Sequence, residues 1–144
     1  MIVFESHSDE DTFRFASKMG REAVPGTVIS LTGDLGCGKT VFSKGFASGL
    51  GVTEPVSSPT FTILQQYDSG RLVLYHFDVY RIGDPEEMEE TGYEDCFYGD
   101  GVTLVEWAEK IRELLPEGTI QVRIEKDLEK GMDYRRITVE NTGS

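Results

Sequence analysis

Phe13, Ala16, Met19 and Ala23 recur at helical spacing behind Ser8-Asp9-Glu10-Asp11, whose side chains can cap a helix start. The pattern predicts a helix over residues 10–23, ended by Pro25-Gly26. Thr27-Val28-Ile29-Ser30-Leu31 is a short β-branched run that reads as a strand and leads into Gly33-Asp34-Leu35-Gly36-Cys37-Gly38-Lys39-Thr40. Phe42, Phe46 and Leu50 then define a second amphipathic helix, stopped by Gly51. Residues 61–67 and 72–78 read as two strands joined by Asp68-Ser69-Gly70, which suggests an antiparallel hairpin. Asp84-Pro85-Glu86-Glu87 has the order N-cap, N1 proline and N3 glutamate, so a short acidic helix should run to about residue 90. Residues 102–105 look like a strand buried on both faces, residues 108–115 like a helix closed by Pro116, and residues 119–125 and 134–140 like terminal strands.

A length of 144 residues suits one domain over 1–144, and no repeat or low-complexity linker divides it. The formal net charge is −12, from 14 basic and 26 acidic side chains. So acidic a surface repels phosphate backbones and anionic lipid headgroups, which disfavours direct tRNA or DNA binding and membrane association. Cys37 and Cys96 make neither a disulfide framework nor a C-x-x-C metal motif. No basic segment followed by an apolar one forms a signal peptide, and no stretch approaches the roughly 20 apolar residues of a membrane span. The expectation is a cytoplasmic protein.

The strongest chemical signal is G-x-x-x-x-G-K-T, filled by Gly33, Gly38, Lys39 and Thr40 with an extra Gly36. Glycines let successive N–H groups turn inward and, with the N-terminus of the following helix, cradle phosphate oxygens. Lys39 adds a charge for the β- and γ-phosphates, and the Thr40 hydroxyl can ligate Mg²⁺. Such a loop also wants an acidic group at the end of a neighbouring strand. Asp78 ends one candidate strand and Glu106 another. Residues 102–105 have the unbroken apolar character of a central strand, which favours Glu106 as the metal-side or water-orienting carboxylate and leaves Asp78 as the second acid. A solvated strand-end carboxylate or a helix N-cap is the plain alternative for each. Ser57-Ser58-Pro59-Thr60 is placed where a nucleotide-sensing loop would lie, with Thr60 able to reach Mg²⁺ or γ-phosphate; a simple turn before a strand is the other reading. His76 reads as a structural histidine, and Trp107 as a half-buried core indole or a docking group. Cys37 falls inside the cradle, so alkylation of its thiol should abolish nucleotide binding, with ATP protecting.

Taken in order and spacing, Gly33-Asp34-Leu35-Gly-x-Gly-Lys-Thr, Ser58-Pro59-Thr60-Phe61, His76-Phe77-Asp78-x-Tyr80-Arg81 and Glu106-Trp107 resemble the bacterial TsaE family, over nearly the whole chain. The resemblance implies a three-layer P-loop NTPase fold, with a mixed, mostly parallel central sheet and a β-hairpin insertion. It implies ATP hydrolysis in tRNA N6-threonylcarbamoyladenosine biosynthesis, serving the partner proteins TsaD and TsaB and touching tRNA only indirectly. Carried over by position, Leu35, Gly36, Cys37, Gly38, Lys39 and Thr40 bind the ATP phosphates, Thr40 and Glu106 lie on the Mg²⁺ side, and Thr60 and Asp78 resemble the nucleotide-responsive loop and the second acid. Trp107 and Arg135 also match family positions. Cys37 is a departure, since the family usually carries Ala there.

A small-molecule kinase of the P-loop class is the alternative function. It would want an arginine-rich lid, for which Arg81 and Arg112 are poor substitutes. A GTPase-like switch would want an N-K-x-D segment, absent from the chain, so ATP is the expected nucleotide.

Overall fold

The structure is a computed structural model that describes residues 1–33, 37–56 and 63–141. Strands β1 (Ile2–Ser6), β2 (Val28–Thr32), β3 (Leu64–Tyr67), β4 (Leu74–Asp78), β5 (Val102–Glu106), β6 (Ile120–Lys126) and β7 (Arg135–Asn141) form one sheet in the order β1-β7-β6-β2-β5-β4-β3. Its centre is parallel, β2 lying between β6 and β5 and β5 pairing on with β4. The outer pairings β1–β7, β6–β7 and β3–β4 are antiparallel. The sheet is thus mixed as expected, with the parallel part confined to four strands. The hairpin is present as β3 and β4, and because β4 also pairs with β5 it forms the sheet's edge. Strand β1 went unread in the sequence.

All five residues of β5 are buried, as its apolar run demands at the middle of a covered sheet. One face is covered by helices α1 (Asp9–Glu22) and α2 (Lys39–Leu50). Ser8 caps α1, its Oγ accepting from the Asp11 N–H at 3.1 Å. Gly51, at φ +88°, ends α2 in the left-handed conformation that a side chain would strain. The two helices press backbone to backbone: a Cβ at Gly20 would lie 2.2 Å from the Phe46 carbonyl oxygen, and one at Gly49 would lie 2.0 Å from that of Ser17. Ala16, Phe42, Phe46, Ile29, Leu31 and Leu104 share the resulting core. Arg71 closes the far end, its guanidinium donating to the carbonyls of Gly20, Arg21 and Ala23 at 2.7–2.8 Å.

The other face carries shorter pieces. The acidic segment is a 3-10 helix, Pro85–Thr91, with the expected capping box on Asp84 and Glu87. Helix α3 (Tyr93–Phe97), absent from the sequence reading, follows at once. The helix expected after the only tryptophan is a 3-10 segment, Ala108–Leu114, broken at Ile111. Met88, Phe97, Val105 and Ile111 build the second core, which completes three layers. Among the described residues no helix is long and apolar enough to cross a membrane.

Candidate functional site

Chain direction brings the C-terminal ends of β2, β4 and β5 to one rim of the sheet, the edge where open α/β folds bind ligands. Helix α2 starts there. Gly38, at φ +106°, turns the chain into the helix, and Lys39 is its first residue. Gly33, at φ +150°, is held closely: a Cβ there would meet Cys37 Sγ at 2.6 Å and the Ile124 carbonyl oxygen at 2.7 Å. Arg135 Nε donates to the Cys37 carbonyl at 2.9 Å and ties the junction to β7. The Lys39 side chain folds back, its Nζ donating to the Gly33 carbonyl at 2.6 Å and lying 3.6 Å from the centre of the Trp107 ring. A buried ammonium is tolerable only with such partners, a carbonyl and an aromatic face.

Strand parity sets the acids. Leu74, His76 and Asp78 stand opposite Val102, Leu104 and Glu106 in the β4–β5 register, and Leu31 stands opposite Glu106 on β2. Leu31, Leu74, Val102 and Leu104 belong to the core under α1 and α2, so His76, Asp78 and Glu106 face the helix that Lys39 heads. Glu106 is 3% exposed and its Oε2 lies 2.6 Å from Nε2 of His76, which is fully buried. Asp78 is half-buried and its Oδ1 accepts from the Tyr80 N–H at 3.0 Å. Burial holds the Asp78 carboxyl above the usual carboxylate range; the Glu106 charge adds to this, and the Tyr80 N–H, His76 and Lys39 oppose it.

Of the expected site residues, Gly38, Lys39, Asp78 and Glu106 meet at this rim, and Thr40 is exposed in the first turn of α2. Leu35, Gly36 and Thr60 lie outside the described residues, as do Ser57, Ser58 and Pro59. Cys37 is 1% exposed and belongs to the core cluster that includes Phe42, while it also lines the cavity beside Gly33 and Trp107, so its thiol is less open to alkylation than its place in the loop suggests. Its backbone amide is the group that phosphate binding would use. Two contacts went unread: His76 on Glu106, and the Trp107 ring on Lys39. Alternation along β4, which puts His76 and Asp78 on one face, is the signal that could have found the first. Trp107 sits at φ 63°, an uncommon backbone state for a bulky side chain, and its ring also lies 4.8 Å from that of Tyr80.

Among the described residues, no three His, Cys, Asp or Glu side chains are grouped to hold a metal ion. A Mg²⁺ shared with phosphates needs only one or two protein ligands, because it keeps several waters. The donors fit that case: a hydroxyl at Thr40 and, on neighbouring strand ends, two carboxylates whose proximity disfavours ionisation of Asp78 and which a divalent cation would relieve. A cavity of about 480 Å³ opens beside the junction, lined in part by Thr32, Gly33, Trp107, Arg123 and Lys126.

A lysine-headed helix facing acidic strand tips across a glycine junction defines a three-layer α/β protein with a strand–glycine loop–helix rim. The family model for threonylcarbamoyl adenosine biosynthesis protein TsaE matches residues 6–137. The chain belongs to this TsaE family. Its relatives include the tRNA threonylcarbamoyladenosine biosynthesis protein TsaE of Bacillus subtilis (strain 168), 49% identical over 99% of this chain and 87% of that protein. The protein of the same name from Treponema pallidum (strain Nichols) is 45% identical over 83% of this chain and 87% of its own length. The crystal structure of Bacillus subtilis YdiB superposes with a TM-score of 0.83 at 40% identity, covering 99% of this chain and 86% of that one.

Proposed function

We propose that this protein is a Mg²⁺-dependent ATPase, slow alone, that serves tRNA N6-threonylcarbamoyladenosine biosynthesis by acting on a complex of TsaB and TsaD. The observation that carries the reading is the convergence of Lys39, Glu106 and Asp78 at the rim where β2 passes through glycines into α2. The names of the relatives support the pathway, and the net charge of −12 supports a role in which tRNA is met through partners.

In this reading the amides of residues 35–40 and the N-terminus of α2 cradle the phosphates. Lys39 leaves the Gly33 carbonyl for the phosphate oxygens, where its charge offsets the negative charge that builds during attack by water. Thr40 and Glu106 would hold a Mg²⁺, whose positive charge would offset charge on the phosphates. Glu106 is the favoured metal-side or water-orienting carboxylate, Asp78 is the second acid and the alternative for orienting the water, and Thr60 answers to the γ-phosphate. The cavity beside Gly33 and Trp107 offers room for the nucleoside.

The test is Mg²⁺-dependent phosphate release from ATP, with and without TsaB and TsaD and with candidate metabolites. Free phosphate whose release rises on adding the two proteins is the expected result. Phosphate appearing on a small molecule would replace the reading with a small-molecule kinase.

A further inference from the structure

We infer that His76 is the positioning residue of Glu106: its Nε2–H fixes the carboxylate at the strand tip in the orientation that metal binding requires. The inference rests on the reading of Glu106 as the metal-side acid.

The pair is almost wholly shut from water, with side-chain exposures of 0% and 4%. A carboxylate that deep is costly unless a donor answers it, and Nε2 lies 2.6 Å from Oε2, within hydrogen-bond distance. The other ring nitrogen, Nδ1, is buried with no hydrogen-bond partner among the described residues. An ionised carboxylate can only accept, and the Nε2–H tautomer is the one that gives it a donor while leaving a lone pair rather than an N–H unpaired at Nδ1.

Of its two ring nitrogens, only Nε2 has a partner among the described residues, and that partner is the carboxylate read here as a metal ligand. Glutamate has three side-chain torsions, and a partner that holds one carboxylate oxygen limits all of them. One strand over and two residues back in register, the imidazole is anchored by the β4 backbone and holds one oxygen in place. Partners that orient a metal-ligating carboxylate usually change metal affinity or activity about 10- to 100-fold when removed.

Nitrogen NMR of the ligand-free protein tests the proton first. The chain has two histidines, His7 and His76, so assignment needs one His7→Gln control. The expected spectrum shows His76 as the Nε2–H tautomer, with its Nε2 signal moved by Glu106→Ala. A dominant Nδ1–H tautomer would overturn the inference. Two variants then test its consequence. His76→Leu should lower partner-stimulated kcat and the Mn²⁺ affinity of the ADP complex, read by electron paramagnetic resonance, about 10- to 100-fold. Its metal-free ADP affinity should stay within about twofold, because loop amides and Lys39 hold the phosphates. His76→Gln, which keeps an amide donor, should restore both quantities. A folded His76→Leu protein with undiminished kcat and Mn²⁺ affinity would sink the inference. If His76→Leu does not fold, the wild-type tautomer and the His76→Gln protein decide. If the wild-type chain releases no phosphate with its partners, the ATPase reading fails, while the tautomer still decides whether His76 holds Glu106.

Discussion

The two faces of the sheet are built in different ways. On one, α1 and α2 are regular, capped and so close that glycines meet backbone carbonyls. On the other, two 3-10 segments, a five-residue helix and a left-handed Trp107 make do with irregular backbone. Lys39, His76, Asp78 and Glu106 all face the regular side. Groups that must be held to fractions of an ångström are thus set on elements whose own positions are over-determined. The irregular face contributes Trp107 and, beside it, the half-exposed Tyr80.

On that division, the largest functional losses come from the regular face without loss of fold. Lys39→Ala should reduce phosphate release at least about a hundredfold, and Glu106→Ala should lower hydrolysis more than ATP affinity; titration calorimetry beside the phosphate assay separates the two. Glu106→Ala with wild-type turnover would shift the role to Asp78. The next effect is on stability. Gly49→Ala forces a Cβ into the Ser17 carbonyl and should cost about 3 kcal/mol in denaturant unfolding, since both atoms in conflict are backbone-bound. On the irregular face, Asp84→Ala removes a capping box and should cost only about 1 kcal/mol. A reversed order of these two would break the comparison.

The smallest effect concerns Asp78. Burial keeps its folded-state carboxyl above the range it has in the unfolded chain, so ionising it costs stability as pH rises through that window. Asp78→Asn removes the cost and keeps an acceptor for the Tyr80 N–H. The variant should melt above the wild type at neutral pH, the gap closing as pH falls below the unfolded carboxyl range. Thermal melts across pH check the trend.

The same contrast explains what could be read from the chain. Helical periodicity, the Ser8 cap and Gly51 were enough for α1 and α2, and an unbroken apolar run for β5, because each burial pattern is local. Helix α3 is too short to show a period, and a capping box looks alike before a 3-10 or an α-helix. Strand β1 has only Ile2, Val3 and Phe4 to signal it, and its partner β7 lies at the other end of the chain. At the rim, Lys39 and the strand-end acids were legible from spacing. The contact of His76 with Glu106 was not, since it depends on the register between two strands. The burial of Cys37 was not legible, since its Sγ lies close to Gly33 and the residue joins the core cluster, which loop spacing alone does not determine.

Trp107 is the only indole in the chain, and the Lys39 ammonium rests on its ring. A cation at that range perturbs the excited state of an indole, so the protein carries an optical probe at its own rim. Any ligand that draws the amine away should change the emission on binding, and stopped-flow mixing would time that event in unlabelled protein.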